Sequence, residues 1–174
     1  MPVLQTERLL LRCFDAGDAT FIHELLNDPG WLRHIGDRGI RSADDARLWI
    51  ATRLVDGYRR QGHGFWAVHR REDPKLIGLC GFIKRDTLPE VDVGYAFMPA
   101  YRGQGYALEA VQGCLQHGRE VLCFKRVLAI TSPDNIASQR LLVRAGMRLE
   151  DRRALAGEAR ETWVYAWGDE ASTG

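Results

Sequence analysis

No apolar stretch in the sequence is long enough to cross a membrane: the longest, Leu76 to Ile83 (LIGLCGFI), has eight residues, where a spanning helix needs about 20. A surplus of charge is missing too. With 24 Lys plus Arg against 23 Asp plus Glu and a net charge of +1, no basic excess can displace counterions from a phosphate backbone, so neither a membrane nor a nucleic acid is an expected partner. The opening Met1-Pro2-Val3-Leu4-Gln5-Thr6-Glu7-Arg8 lacks the basic and long apolar regions of a signal peptide, which predicts a cytoplasmic protein. Cys13, Cys80, Cys114 and Cys123 form no CxxC pair and sit among apolar neighbours, so they are read as small buried core residues and not as a disulfide or zinc framework. The histidines, His23, His34, His63, His69 and His117, never stand at the i, i+4 spacing of a helical metal pair, and no metal is expected. There is no repeat, low-complexity tract or dividing linker. The 174 residues are read as a single domain, with a core at about 4–167 and a frayed tail from Gly168 to Gly174. A chain of this length buries roughly 70% of its unfolded surface without help from metal or disulfide.

What is present alternates between two periodicities. Arg8 to Phe14 reads as a first strand, and Asp15 through Asp28 carries Phe21, Ile22, Leu25 and Leu26 at helical spacing. Pro29-Gly30 is expected to end that helix. After a polar segment with Trp31, Arg33 and His34, Ser42 followed by Asp44 and Asp45 predicts an N-cap and an acidic first turn. Phe65 to His69, Leu76 to Lys84 and Val91 to Met98, separated by Glu72-Asp73-Pro74 and Thr87-Leu88-Pro89, predict an antiparallel meander. Beyond Pro99, Ala107, Ala110, Val111, Cys114 and Leu115 repeat at helical spacing. Arg126 to Thr131 then reads as a strand, Asn135 as the N-cap of a helix stopped by Gly146, and Thr162 to Trp167 as a final strand.

The segment Arg102-Gly103-Gln104-Gly105-Tyr106-Ala107 joins a strand to a helix through glycines. Unpaired N–H groups of a first helical turn and the helix dipole favour an anion there, and glycine lets a phosphate approach closely. A P-loop is excluded because Gly-Lys-Ser/Thr is missing, and the dinucleotide fingerprint fails because Leu108 stands where its third glycine would be. Without a ligand, Gly103 and Gly105 would mark only a tight turn. The segment fits the R/Q-x-x-G-x-G/A loop of the GNAT N-acetyltransferases, and four further segments resemble that family in order. Thr6-Glu7-Arg8-Leu9-Leu10-Leu11-Arg12 is similar to the first strand of its ribosomal-protein-alanine acetyltransferase branch. Leu76-Ile77-Gly78-Leu79-Cys80-Gly81-Phe82 resembles the central IGxxG strand, and Asp92-Val93-Gly94-Tyr95 the acidic-x-Gly-Tyr strand. Asn135-Ile136-Ala137-Ser138 with Ala145-Gly146-Met147 resembles the N-x-x-S…GF helix.

The resemblance implies an α/β fold of GNAT type: a mixed, mostly antiparallel sheet, splayed in the middle, flanked by helices, with acetyl-CoA as cosubstrate in the opening. Backbone amides from Arg102 through Gly103, Gln104, Gly105 and Tyr106 to Ala107 would hold the pyrophosphate. Strand-edge groups near Phe97 and Met98 would pair with the pantetheine arm, and Asn135 would cap its helix, touch that arm, or both. Period-2 alternation places Glu90, Asp92, Gly94 and Ala96 on one strand face. Asp92 is the expected proton acceptor and Glu90 the reserve, with solvated edge charge as the alternative for each. Backbone N–H groups near Met98 are expected to polarise the thioester carbonyl. Where the family often has a tyrosine that meets the departing thiolate, Leu142 stands here, and the branch suggests Ser138 as a hydrogen-bonding substitute. The expected reaction is direct transfer to an amine, with an α-amine such as a protein N-terminus preferred because it is substantially neutral at cellular pH. A small-molecule amine, antibiotic or polyamine, is the runner-up. A catalytically silent acyl-CoA-binding regulatory module is the rival of another class. Nothing in the sequence sets the oligomeric state.

Overall fold

The structure, a computed structural model, describes residues 1–155 and 160–170. Its strands are β1 (Pro2–Gln5), β2 (Leu9–Arg12), β3 (Phe65–Arg70), β4 (Asp73–Ile83), β5 (Asp92–Phe97), β6 (Arg126–Thr131), β7 (Arg148–Ala154) and β8 (Glu161–Gly168). They form one sheet in the order β1-β2-β3-β4-β5-β6-β8-β7. Every pairing is antiparallel except β5 with β6. The helices are α1 (Ala19–Leu26), α2 (Pro29–His34), α3 (Ala43–Trp49), α4 (Asp56–Gln61), α5 (Tyr106–Glu120) and α6 (Ile136–Arg144), with a π-helical stretch, Ile50–Val55, joining α3 to α4. This is the α/β architecture with a mostly antiparallel, helix-flanked sheet that the family resemblance implied.

Alternation along the strands divides the core into two layers. On one face Leu9, Leu11, Trp66, Ile77, Phe82, Val93 and Phe97 pack with Ala110, Val111, Cys114 and Leu115 of α5 and Leu142 of α6. On the other, Ala67 and Leu79 pack with Ile22, Leu25 and Leu26 of α1, Trp31 of α2, Ala46 of α3, and Ile50 and Leu54 of the π-helical stretch. A third cluster, Leu88, Leu128, Leu155, Val164 and Ala166, closes the β6–β8 end. Burying a leucine-sized side chain is worth about 1.5 to 3 kcal/mol, which is why the helix-period segments commit to the faces their apolar stripes select.

Several expectations need correcting. Pro29 does not only end α1; it begins α2, because the Asp28 side chain accepts from the Gly30 and Trp31 N–H groups as an N-cap and proline is well placed in a first turn. Strands β1 and β7 have no counterpart in the sequence reading. Every residue of β7 is exposed, so an edge held mainly by its ladder to β8 leaves no apolar alternation to read. Asp73 and Pro74 lie inside β4 at its start, where a proline is tolerated. Of the cysteines only Cys80 and Cys114 are buried, their sulfurs 3.5 Å apart, while Cys13 and Cys123 are exposed. Of the tail, Gly168 closes β8, and residues 171–174 lie outside the described residues.

Candidate active site

The sheet opens where β5 and β6, the only parallel pair among the described residues, diverge. Asp92 of β5 stands opposite Leu128 of β6, and the Leu128 N–H donates to the Val91 carbonyl at 2.9 Å. Beyond that point no register joins the two strands among the described residues. On its other side β5 is paired with β4 through Phe97, and the Met98 N–H donates to the Ile77 carbonyl at 2.9 Å. Antiparallel pairing alternates which residues turn toward the partner. With Met98 turned to β4, Ala96 and Gly94 follow it, and the N–H groups of Phe97 and Tyr95 face the gap toward β6. Met98 is therefore corrected: its own N–H is committed inside the sheet, and the donors available at the opening belong to Phe97 and Tyr95.

The glycine loop stands at the open end of β5. Gly103 and Gly105 have φ of +73° and +83°, a left-handed conformation that costs a side chain-bearing residue about 1 to 2 kcal/mol. The first helical bond of α5 is from the Glu109 N–H to the Gly105 carbonyl, 3.1 Å. The N–H groups of Tyr106, Ala107 and Leu108 thus lack intrahelical acceptors and project from the positive end of a 15-residue helix. A Cβ on Gly103 would meet nothing within 4 Å, so the backbone is approachable. This is a cradle suited to an anion.

The Arg102 side chain does not point into this cradle. Its Nε donates to the Phe97 carbonyl at 3.0 Å and its guanidinium to the buried Asp28 carboxylate at 2.6 Å, while its N–H donates to the Pro99 carbonyl at 3.2 Å. Arg102 thereby fastens the loop to the start of α2 and does not supply a loop donor. The Gln104 amide donates to the Ala100 carbonyl at 2.9 Å. A basic residue the sequence reading did not single out stands here instead. Arg8 lies 4.5 Å above the Tyr106 ring, donates to the Gln104 carbonyl at 3.0 Å, and pairs with Glu109 at 2.6 Å. Its signal was present in Thr6-Glu7-Arg8, but only the fold brings it beside a loop about a hundred positions away.

Across the gap, α6 is capped by Asn135, whose side chain accepts from the Ser138 N–H at 3.1 Å; the expected N-cap is in place. The Tyr95 hydroxyl of β5 donates to Ser138 Oγ at 2.8 Å. Burial pushes the Tyr95 phenol up to about 12, so it stays protonated at any cellular pH. Leu142 is in the core at 1% exposure, as its apolar type requires. Nothing local in sequence announces this role for Tyr95, whose partner is 43 positions away.

The two carboxylates part company. Asp92 shares a face with Gly94 and Ala96, opposite to the α5 side; Ala96 packs with the first-helix cluster and a Cβ on Gly94 would touch the Phe65 ring at 3.0 Å. Asp92 is 1% exposed, and its Oδ1 lies 3.1 Å from Arg85 Nε. Burial pushes its carboxyl up to about 6, against the pull of Arg85 and Lys84. Glu90 precedes β5, so the strand alternation does not reach it. Its carboxylate lies 3.7 Å from Arg126, which also binds Glu150, in a groove with Lys84, Cys123 and Lys125 at the end of the sheet away from the glycine loop. The opening lies beyond both carboxylates: Asp92 stands at the last paired position of β5 and β6, and Glu90 precedes it. Among the described residues no group of three or more His, Cys, Asp or Glu side chains could hold a metal ion, and no helix is long and apolar enough to cross a membrane.

The model of the acetyltransferase (GNAT) domain matches residues 8–148. The uncharacterized N-acetyltransferase YnaD of Bacillus subtilis (strain 168) is 30% identical over 147 residues, 84% of this chain and 83% of that protein. A GNAT-family acetyltransferase structure from Bacillus anthracis superimposes with a TM-score of 0.78 at 27% identity, covering 94% of this chain and 96% of the other. RimL, a ribosomal L7/L12 alpha-N-protein acetyltransferase solved with coenzyme A, has the same fold, with a TM-score of 0.81 at 18% identity over 96% of this chain and 97% of that one.

Proposed function

This chain belongs to the GNAT acetyltransferase family, and on that premise we propose that it moves the acetyl group of acetyl-CoA onto an α-amine, the free amino terminus of a protein. The single observation that carries the reading is the divergence of β5 from β6 beside a helix N-terminus whose N–H groups are open. An extended amide-containing arm fits an unpaired strand edge as an additional strand would, and a pyrophosphate fits the loop donors.

Acetyl-CoA supplies an activated thioester. The N–H groups of Gly103 to Leu108 hold its phosphates, with Arg8 adding positive charge at their border. The Phe97 and Tyr95 N–H groups donate to the arm and, at its reacting end, to the carbonyl oxygen where negative charge develops. Ser138 donates its hydroxyl hydrogen to the departing sulfur; a serine hydroxyl is too weak an acid to protonate a thiolate outright. On the opposite sheet face Asp92 takes the acceptor's proton, directly or through water. A carboxylate near 6 is ionised at neutral pH yet basic enough to work. An α-amine of pKa about 7.7 to 8.0 needs only that modest help, whereas a lysine amine near 10.4 needs far more. The α-N-protein activity of a like-folded neighbour agrees with this choice.

The test is CoA release from acetyl-CoA with peptides bearing free Ala or Ser amino termini, against N-blocked lysine peptides, polyamines and aminoglycosides. The α-amine peptides are expected to react and their N-blocked forms to fail. Release with a polyamine or aminoglycoside and with no peptide would overturn the acceptor assignment.

A further inference from the structure

Tyr95 and Ser138 come from opposite walls of the opening, one on β5 and the other on α6, and their 2.8 Å hydrogen bond spans it. A serine hydroxyl has one hydrogen to give and two lone pairs to receive. Here one lone pair is taken by the Tyr95 O–H, and the Asn135 side chain is engaged with the Ser138 backbone N–H, not with its hydroxyl. The Ser138 hydrogen is thereby left to a third group. Val93 and Phe97, the neighbours of Tyr95 on its strand face, are buried in the α5 core, so the Tyr95 ring is anchored, and Ser138 is held by its cap.

We propose that Tyr95 is a positioning residue for the thiolate-stabilising step: it fixes the Ser138 rotor so that the serine hydrogen faces the sulfur, and it makes that hydroxyl a better donor. The proposal rests on the acetyltransfer reading above and on Ser138 as the sulfur's donor. In the step itself the amine nitrogen forms a bond to the acetyl carbon, the carbon–sulfur bond breaks, and the electron pair stays on sulfur. The proton lost by the amine goes to Asp92, and neither Ser138 nor Tyr95 changes protonation. Hydrogen bonds in a chain polarise one another in a low-dielectric interior, so a donor on Ser138 strengthens the bond that Ser138 gives. Burial keeps the phenol protonated and able to donate across the working pH range.

The experiment is a double-mutant cycle on the full chain with Tyr95→Phe, Ser138→Ala and the double variant, reading kcat for CoA release and the dissociation constant of acetyl-CoA. Tyr95→Phe keeps the ring in the core and removes only the hydroxyl. The expected result is about a three- to tenfold drop in kcat from the loss of one hydrogen bond, with acetyl-CoA affinity within about twofold, and no further drop when Tyr95→Phe is added to Ser138→Ala. An equal drop in both backgrounds means that Tyr95 acts independently of the serine and overturns the proposal. So does an unchanged kcat in Tyr95→Phe beside a slowed Ser138→Ala, which leaves the serine's own role standing. If Ser138→Ala turns over normally, the serine assignment fails and takes this one with it. A wild type that releases no CoA refutes the acetyltransfer reading itself.

Discussion

Replacing Asp92 with asparagine separates two consequences of one buried carboxyl. The group is 1% exposed, and burial, the largest cause, pushes its carboxyl from the ordinary 3.8 up to about 6, with Arg85 and Lys84 offsetting it only in part. That displacement corresponds to about 3 kcal/mol of preference for the neutral form in the fold. Because the folded pKa is raised, the native state holds the proton more tightly than the unfolded chain between about pH 4 and 6. The stability this contributes is complete below about 4 and lost as pH rises through 6. Asparagine cannot ionise, so relative to its difference from wild type below about pH 4, Asp92→Asn gains about 2 to 3 kcal/mol by pH 8, read from urea midpoints at several pH values. The same substitution removes the proposed base. For an α-amine acceptor, log kcat/KM falls with a slope of one below about pH 8 as the amine protonates. In wild type it steepens to two below about 6 as Asp92 protonates as well. In Asp92→Asn the slope stays at one and the plateau drops by at least tenfold. Parallel stability profiles would refute the burial argument, and an unchanged steepening below 6 would refute the assignment of the base.

Other consequences follow from the same geometry. Ser138→Ala is expected to lower kcat by about ten- to a hundredfold, the worth of one hydrogen bond to developing charge, while calorimetric acetyl-CoA affinity changes little; an unaltered rate leaves Ser138 a helix-start residue only. Asp28→Ala removes the α2 cap and the partner of Arg102 together, so thermal melting should show a loss of about 1 to 2 kcal/mol and acetyl-CoA should bind more weakly because the loop loses its tie; full affinity in the variant would contradict that tie. Burial between Phe82 and Phe124 pulls the His63 imidazole below its usual value. Its contribution to stability is therefore present above about pH 6.5 and lost as pH falls, and His63→Phe should flatten the acid limb of a urea-denaturation profile. An identical acid limb would show that another group carries it.

Much of this was legible in the chain because local signals and tertiary packing agree. Arg126 to Thr131 is a strand by its apolar run and in the fold, and the caps at Ser42 and Asn135 are where their side chains can reach the next N–H groups. What was not legible depends on partners far away. Strand β7, Arg-rich and exposed throughout, exists because β8 offers it a ladder, which no alternation in its own residues reveals. Pro29 was ambiguous by nature, since the same ring that stops one helix begins another. In the site, the glycine loop could be read directly because its function resides in backbone. The expected roles of Glu90, Met98 and the Arg102 amide ran against commitments elsewhere: an ion pair with Arg126, a ladder bond to Ile77 and a turn bond to Pro99. Tyr95 and Arg8 were hidden for the opposite reason, their partners being 43 and about a hundred positions distant.

The central claim is that the opened sheet and its glycine loop bind acetyl-CoA, and calorimetric titration of acetyl-CoA into wild type, Gly105→Ala and Gly105→Val, in the presence of a chelator, tests it most directly. At Gly105, with φ of +83° and the Arg8 guanidinium 3.2 Å from where a Cβ would sit, a side chain both strains the loop and intrudes at its border. Wild type is expected to bind one acetyl-CoA per chain, Gly105→Ala to bind more weakly, and Gly105→Val to show no binding while keeping a cooperative melting transition. Undiminished affinity in a folded Gly105→Val, or no binding by wild type, would contradict the account.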